Sequence, residues 1–119
     1  MPRCQCVYFQ TGSGRAPAKE FIDSLDVRSQ QKYFAVTGLL SEFGQRLPQP
    51  HAKRLDGGIY ELRFRGIEGH VRVLYFFYHQ HKAVFTNGFI KKSGLVPVKK
   101  IQTAKKRKKV YLQRCEPAE

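Results

Sequence analysis

The stretch that decides the fold is Ile59-Tyr60-Glu61-Leu62-Arg63-Phe64-Arg65, followed by His70-Val71-Arg72-Val73-Leu74-Tyr75-Phe76-Phe77-Tyr78-His79 and Lys82-Ala83-Val84-Phe85-Thr86-Asn87-Gly88-Phe89-Ile90. In the first segment Tyr60, Leu62 and Phe64 fall on one face and Glu61, Arg63 and Arg65 on the other. That is the period of a strand with one packed side and one charged side. The second segment is apolar on both faces apart from Arg72, as expected of a central strand covered on both sides. The third is aromatic and β-branched and ends at Lys91-Lys92. The connections Gly66-Ile67-Glu68-Gly69 and His79-Gln80-His81 are short enough for hairpins, so an antiparallel three-strand meander is expected.

Upstream, Cys4 to Phe9 reads as a strand ended by the turn-forming Thr11-Gly12-Ser13-Gly14. Pro17 suits the first turn of a short helix running to about Ser24. A second helix is expected after Asp26, a good N-cap, and ends at Gly44. Within it Tyr33, Val36, Leu40 and Phe43 recur at spacings of three and four, which predicts one core-facing stripe. Leu47-Pro48-Gln49-Pro50 breaks that helix, His51 falls in the loop that follows, and Gly57-Gly58 opens the first meander strand. Downstream, Pro97 opens a last helix, about 97–113, whose Ile101, Ala104 and Leu112 form a thin apolar stripe able to dock only weakly. A strand, two helices, three strands and a final helix make one α+β domain over residues 1–119.

Charge narrows the partners. The chain of 119 residues carries 22 Lys and Arg against nine acids, a net charge of +13, and a polyanion is the natural counterpart. Ten of those 22 basic residues follow Ile90, against two of the acids, so the last quarter is a basic arm. Lys and Arg on such an arm bind phosphates by releasing condensed counterions. The longest apolar run, Val71 to Tyr78, is far shorter than the ~20 residues that span a bilayer. The opening Met1-Pro2-Arg3-Cys4-Gln5-Cys6 has no apolar h-region, so a cytoplasmic location without membrane contact is expected.

The cysteines add no chemistry. Cys4 and Cys6 point to one strand face and Cys115 lies in the tail, an odd count with no disulfide framework. His51, His70, His79 and His81 show no metal-ligand spacing with them, so neither metal nor cofactor is expected. The strand aromatics Phe76, Phe77, Phe85 and Phe89 read as core, with Tyr60 and Tyr75 packed beside them.

A resemblance is carried by Lys53-Arg54-Leu55-Asp56-Gly57-Gly58-Ile59-Tyr60-Glu61-Leu62-Arg63, then Val71-Arg72-Val73-Leu74-Tyr75, then Gly88-Phe89-Ile90-Lys91-Lys92. It continues into the last helix through Pro97, Lys99, Lys100, Ile101 and Ala104. This set resembles the phage-derived HigB-like branch of the RelE toxin superfamily of type II toxin-antitoxin systems. The resemblance implies a RelE-like fold and a ribosome-dependent mRNA endonuclease, or interferase. It also implies neutralisation by a cognate antitoxin, in this branch usually a helix-turn-helix DNA-binding protein.

RNA can be cut without a metal: its own 2′-hydroxyl attacks the adjacent phosphate while a base takes the proton, cations stabilise the extra charge and an acid protonates the leaving oxygen. Arg63 and Arg72 are the candidates for holding the scissile phosphate, since a guanidinium stays charged and donates paired hydrogen bonds. Lys92 is the candidate for charge at the leaving group. The base stays open between Glu61, on the strand face of Arg63, and His51, since imidazole titrates nearest neutral pH. Ion pairing of Glu61 with Arg63 or a neighbouring strand is an equal reading. Related toxins place a tyrosine, histidine or arginine after the last strand as a further catalytic group, where this chain offers Ser93 and Val98, with Tyr111 far down the helix, which leaves the general acid open. Lys53, Arg54, Arg65, Lys91, Lys99, Lys100, Lys105, Lys106, Lys108 and Lys109 are the candidate RNA contacts. Two other readings remain: a ParE-like gyrase poison sharing the fold, and a non-enzymatic basic nucleic-acid-binding protein.

Overall fold

In the computed structural model, which describes residues 3–116, the chain runs β1 (Gln5–Tyr8), α1 (Pro17–Asp23), α2 (Val27–Phe43), β2 (Ala52–Arg54), β3 (Tyr60–Gly66), β4 (Gly69–Tyr78), β5 (Lys82–Lys91) and α3 (Val98–Cys115). One five-stranded sheet has the order β1-β5-β4-β3-β2. The antiparallel meander of β3, β4 and β5 forms its middle, β1 lies parallel to β5, and β2 is antiparallel to β3. Met1 and Pro2, part of the signal-peptide reading, lie outside the described residues. Among the described residues no helix is long and apolar enough to cross a membrane.

The meander forms as its alternation dictates, and Ile67-Glu68 makes the first hairpin turn. At the second, His79 and Gln80 both take positive φ, 55° and 64°, the mirror-image turn that matches strand twist. Asp26 caps α2 by accepting from the Arg28 backbone N–H at 2.8 Å. Gly44 ends α2 at φ 57°, where a side chain would be strained.

Three expectations need correction. The expected order of one strand and a three-strand meander lacks a strand: Ala52–Arg54 pair with β3 as a fifth, edge strand of three residues, too short for periodicity to reveal. The α2 stripe buries Ser29, Tyr33, Val36 and Leu40, whereas Phe43 is exposed, because the helix ends there and the chain turns away through a short 3-10 turn, Gly44–Arg46. The last helix does not dock weakly. Ala104 is fully buried and Val110 and Tyr111 pack with it on Phe9, Ile59, Leu74, Phe76, Val84 and Phe89.

The sheet therefore has two cores. α1 and α2 cover Leu62, Phe64, Val71, Val73, Tyr75, Ala83 and Phe85, and α3 covers the opposite face. Cys4 and Cys6 both join the first core, and burial pushes the Cys6 thiol up to about 11, the chemistry of a packing group. A β-bulge joins the two cores. Register slips between Leu74 and Tyr75 so that Tyr75 pairs with Phe85 and Leu74 with Asn87, leaving Thr86 as the extra residue. Phe85 consequently faces α1 and α2, while Phe89 faces α3. The bulge also anchors the helix: Arg107 Nη1 donates to the Thr86 carbonyl at 2.8 Å and Asn87 Nδ2 to the Lys100 carbonyl at 3.3 Å.

Gly88, just beyond the bulge, lets α1 lie close. A Cβ there would run into the Phe21 ring, a rigid neighbour. Gly88→Ala is expected to destabilise the fold by ~1–3 kcal/mol, the range for overpacking. Urea unfolding checks this as a lower midpoint at unchanged slope.

Candidate functional site

β2 is short, and that opens the site. It pairs with β3 only as far as Leu62, after which the Arg63 N–H is satisfied by the His51 carbonyl at 2.8 Å and the rest of β3 is an open edge. A cleft of about 450 Å³ wraps this edge, lined by Lys32 and Val36 of α2, His51, Arg63, Arg65, His70 and Arg72. A second cleft, about 280 Å³, adjoins it through His70 and Arg72 and is lined further by Lys91, Lys92 and Ser93. No carboxylate lines either cleft among the described residues.

The one acid at the site points inward. Register places Arg63 directly opposite Arg72, and Glu61 lies two residues before Arg63 on the same strand face. Its side chain is 2% exposed and its carboxylate faces both guanidiniums, Oε1 at 3.7 Å from Arg63 Nε and Oε2 at 3.4 Å from Arg72 Nε. These are ion pairs at Coulombic range, and Arg72 also donates Nη1 to the Val71 carbonyl at 3.0 Å. Burial pulls the Arg72 guanidinium below its usual range, with Glu61 opposing and Arg63 adding to the shift. Arg72 is nearly buried and Arg63 retains 26% side-chain exposure, so Arg63 is the more open of the two.

The sequence-derived candidates divide accordingly. Arg63, Arg72, His51 and Lys92 come together on the two adjoining clefts, and Glu61 sits behind them as the counterion of the arginine pair. Arg65 and Lys91 flank the same end of the sheet, each paired in register with His70. Lys53 and Arg54 lie exposed on β2, Arg54 over the Tyr60 ring at 6.0 Å. On α3, Lys99, Lys100, Lys106 and Lys109 are exposed. Lys105 and Lys108 instead tie α3 to the loop before β3: Lys105 pairs with Asp56, and Lys108 Nζ donates to the Gly57 carbonyl at 3.2 Å. A larger cleft of about 560 Å³ between that loop and α3 holds lysines but neither guanidinium nor imidazole.

Sequence reading passed over His70. It lies exposed at the start of β4, 3.2 Å through Nε2 from Arg65 Nη1, and lines both clefts. Partial loss of hydration, then the charges of Arg65, Arg72, Lys91 and Arg63, hold its imidazole below the usual histidine range. A histidine opening a strand that carries an arginine two positions on was the available signal, but only cross-strand register shows how many cations surround it.

The family model described as phage derived protein Gp49-like (DUF891) matches residues 20–109, well over half of the chain and all of the residues lining both clefts. A comparison with curated proteins finds no match.

Removing one member of the Glu61 cluster strands the others. Glu61→Gln leaves the Arg72 guanidinium buried without a countercharge and is expected to cost ~3–5 kcal/mol of stability. Arg63→Ala, at the open side of the cluster, is expected to cost clearly less. Urea unfolding of the two variants in parallel checks this order.

Proposed function

The chain belongs to the phage-derived Gp49-like family, and on that premise we propose that it is the toxin of a type II toxin-antitoxin pair, a metal-free endoribonuclease that cuts messenger RNA on the ribosome. One observation carries the reading: Arg63, Arg72, His51, His70 and Lys92 line two adjoining clefts from which carboxylates are absent among the described residues. Such a surface attracts a phosphodiester and supplies both proton-transfer groups and cations beside it. The α+β order, with a basic helix closing one face of a short sheet, agrees with the resemblance to RelE-like toxins.

In this reading Arg63 and Arg72 hold the non-bridging oxygens of the scissile phosphate and take up the charge that develops as the 2′-hydroxyl attacks. Glu61 is a positioning residue. Its buried carboxylate keeps two guanidiniums side by side that would otherwise repel, so their donors are oriented before substrate arrives. Lys92, exposed at the mouth of the smaller cleft, stabilises the leaving 5′-oxygen, and His51 transfers a proton. Lys99, Lys100, Lys106 and Lys109 on α3, with Lys53 and Arg54 on β2 and Arg65 and Lys91 at the sheet edge, dock on RNA phosphates. Lys105 and Lys108 contribute less, being engaged by the fold. The protein acts in the cytoplasm, where a helix-turn-helix antitoxin restrains it by covering this basic surface.

Purified protein added to translating ribosomes should cut mRNA at the decoding site. Arg63→Ala and Arg72→Lys, the latter keeping a charge opposite Glu61, should each slow single-turnover cleavage ~10²-fold or more, the scale of losing one transition-state donor. The exposed pair Lys106→Gln and Lys109→Gln should weaken ribosome pelleting and flatten its salt dependence, with cleavage largely restored at saturating ribosome. Inhibition of gyrase without RNA cleavage, or ribosome binding without cleavage, overturns the nuclease assignment.

A further inference from the structure

We propose that His70 is the general base of the cleavage step and that His51, in the same cleft, is the general acid, an assignment that rests on the nuclease reading above. The geometry at Nε2 carries it. Arg65 Nη1 lies 3.2 Å from His70 Nε2, and a guanidinium has donors only, so the imidazole nitrogen accepts. The contact assigns the neutral tautomer, with its proton on Nδ1 and a lone pair at Nε2. That lone pair is what a general base requires.

The surroundings maintain this state. Arg63 and Arg65 on β3, Arg72 on β4 and Lys91 on β5 surround the ring, and Lys92 shares the smaller cleft with it. Lys32 of α2 and His51 complete the larger cleft, and Glu61 is turned toward Arg63 and Arg72. A positive charge on His70 is thus disfavoured from β3, β4 and β5 alike, in line with its lowered pKa. An incoming RNA phosphate reverses the local field. It draws Arg65 away from Nε2 and offsets the neighbouring cations, so the ring gains proton affinity when substrate is present.

The step balances without a co-reactant. His70 Nε2 takes the proton of the 2′-hydroxyl, O2′ bonds to phosphorus and the P–O5′ bond breaks. His51, protonated, delivers its proton to O5′. The products are a 2′,3′-cyclic phosphate and a 5′-hydroxyl, and the two imidazoles have exchanged protonation states, which solvent resets. Arg63 and Arg72 hold the phosphate throughout.

The experiment uses an mRNA whose cut site has first been mapped with wild-type protein on ribosomes. A second copy of that mRNA carries sulfur in place of the bridging 5′-oxygen at that site, a leaving group that departs without protonation. His70→Gln should lose ~10²-fold or more in single-turnover rate on both substrates, with ribosome pelleting unchanged. His51→Gln should lose as much on the native mRNA and recover on the sulfur substrate. The acid limb of kcat/KM, which reports the free enzyme, should fall below pH 6.5, and Arg65→Gln should move it upward by removing a cation from the ring. His70→Asn serves as a second variant should glutamine disturb the hairpin. If wild-type protein cuts and His70→Gln and His70→Asn keep its rate and pH profile, the His70 assignment is overturned and the nuclease reading stands. Recovery of His70→Gln on the sulfur substrate overturns the division of roles. Absence of any wild-type cleavage overturns the nuclease reading itself.

Discussion

Glu61 places a buried carboxylate between two guanidiniums that β-register sets directly across from one another. Arg63 and Arg72 without it would be like charges on adjacent strands, an arrangement that destabilises a sheet. Such a buried cluster adds little net stability, because desolvation of the ions offsets most of their attraction. Its value is positional. One negative and two positive charges leave a net positive end on the sheet, fixed in direction, and the clefts with their histidines and lysines are arranged around it.

That arrangement depends on the sheet being covered unevenly. α1 and α2 close one face and α3 the other, so β4 is apolar on both sides through its middle and end. At the hairpin joining β3 and β4, α2 still holds one face, Glu68 accepting from Ser29 Oγ and the Asp26 N–H, but β2 pairs no further than Leu62 and Arg65 and His70 face solvent. The Thr86 bulge is the device that lets both faces be packed. It switches the alternation of β5 midway, giving Phe85 to one core and Phe89 to the other, and its carbonyl holds Arg107 of α3. Stability and site thus share the meander but use opposite ends of it.

The basic residues are not one population. Arg107, Arg114, Lys105 and Lys108 bind backbone carbonyls or Asp56 and hold α3 to the sheet and loops. Lys99, Lys100, Lys106 and Lys109 face solvent. A third group encircles His70, where its effect is on an imidazole rather than on a distant polyanion. A single net charge of +13 therefore covers lysines that face solvent, side chains that hold α3 in place and the field around one imidazole.

Much of the fold was legible from local periodicity, because alternation, glycine turns and the Asp26 cap are properties of neighbouring residues. The meander, the first strand, the two early helices and the span of the last helix follow from them, as does the convergence of Glu61 and Arg63 on one face. What lay beyond reach depends on partners distant in the chain. Three residues of β2 carry no readable period, and a bulge shifts register without altering composition. The thin stripe of the last helix gave no sign that Tyr111 and Val110 would find Phe9 and Phe76 across the sheet. Alternation along β3 suffices to put arginines on one strand face, and composition suffices to make the tail basic. Contacts across the fold set Arg63 against Arg72 over Glu61, engage Lys105 with Asp56 and ring His70 with cations, because charges act through space while periodicity describes only the chain.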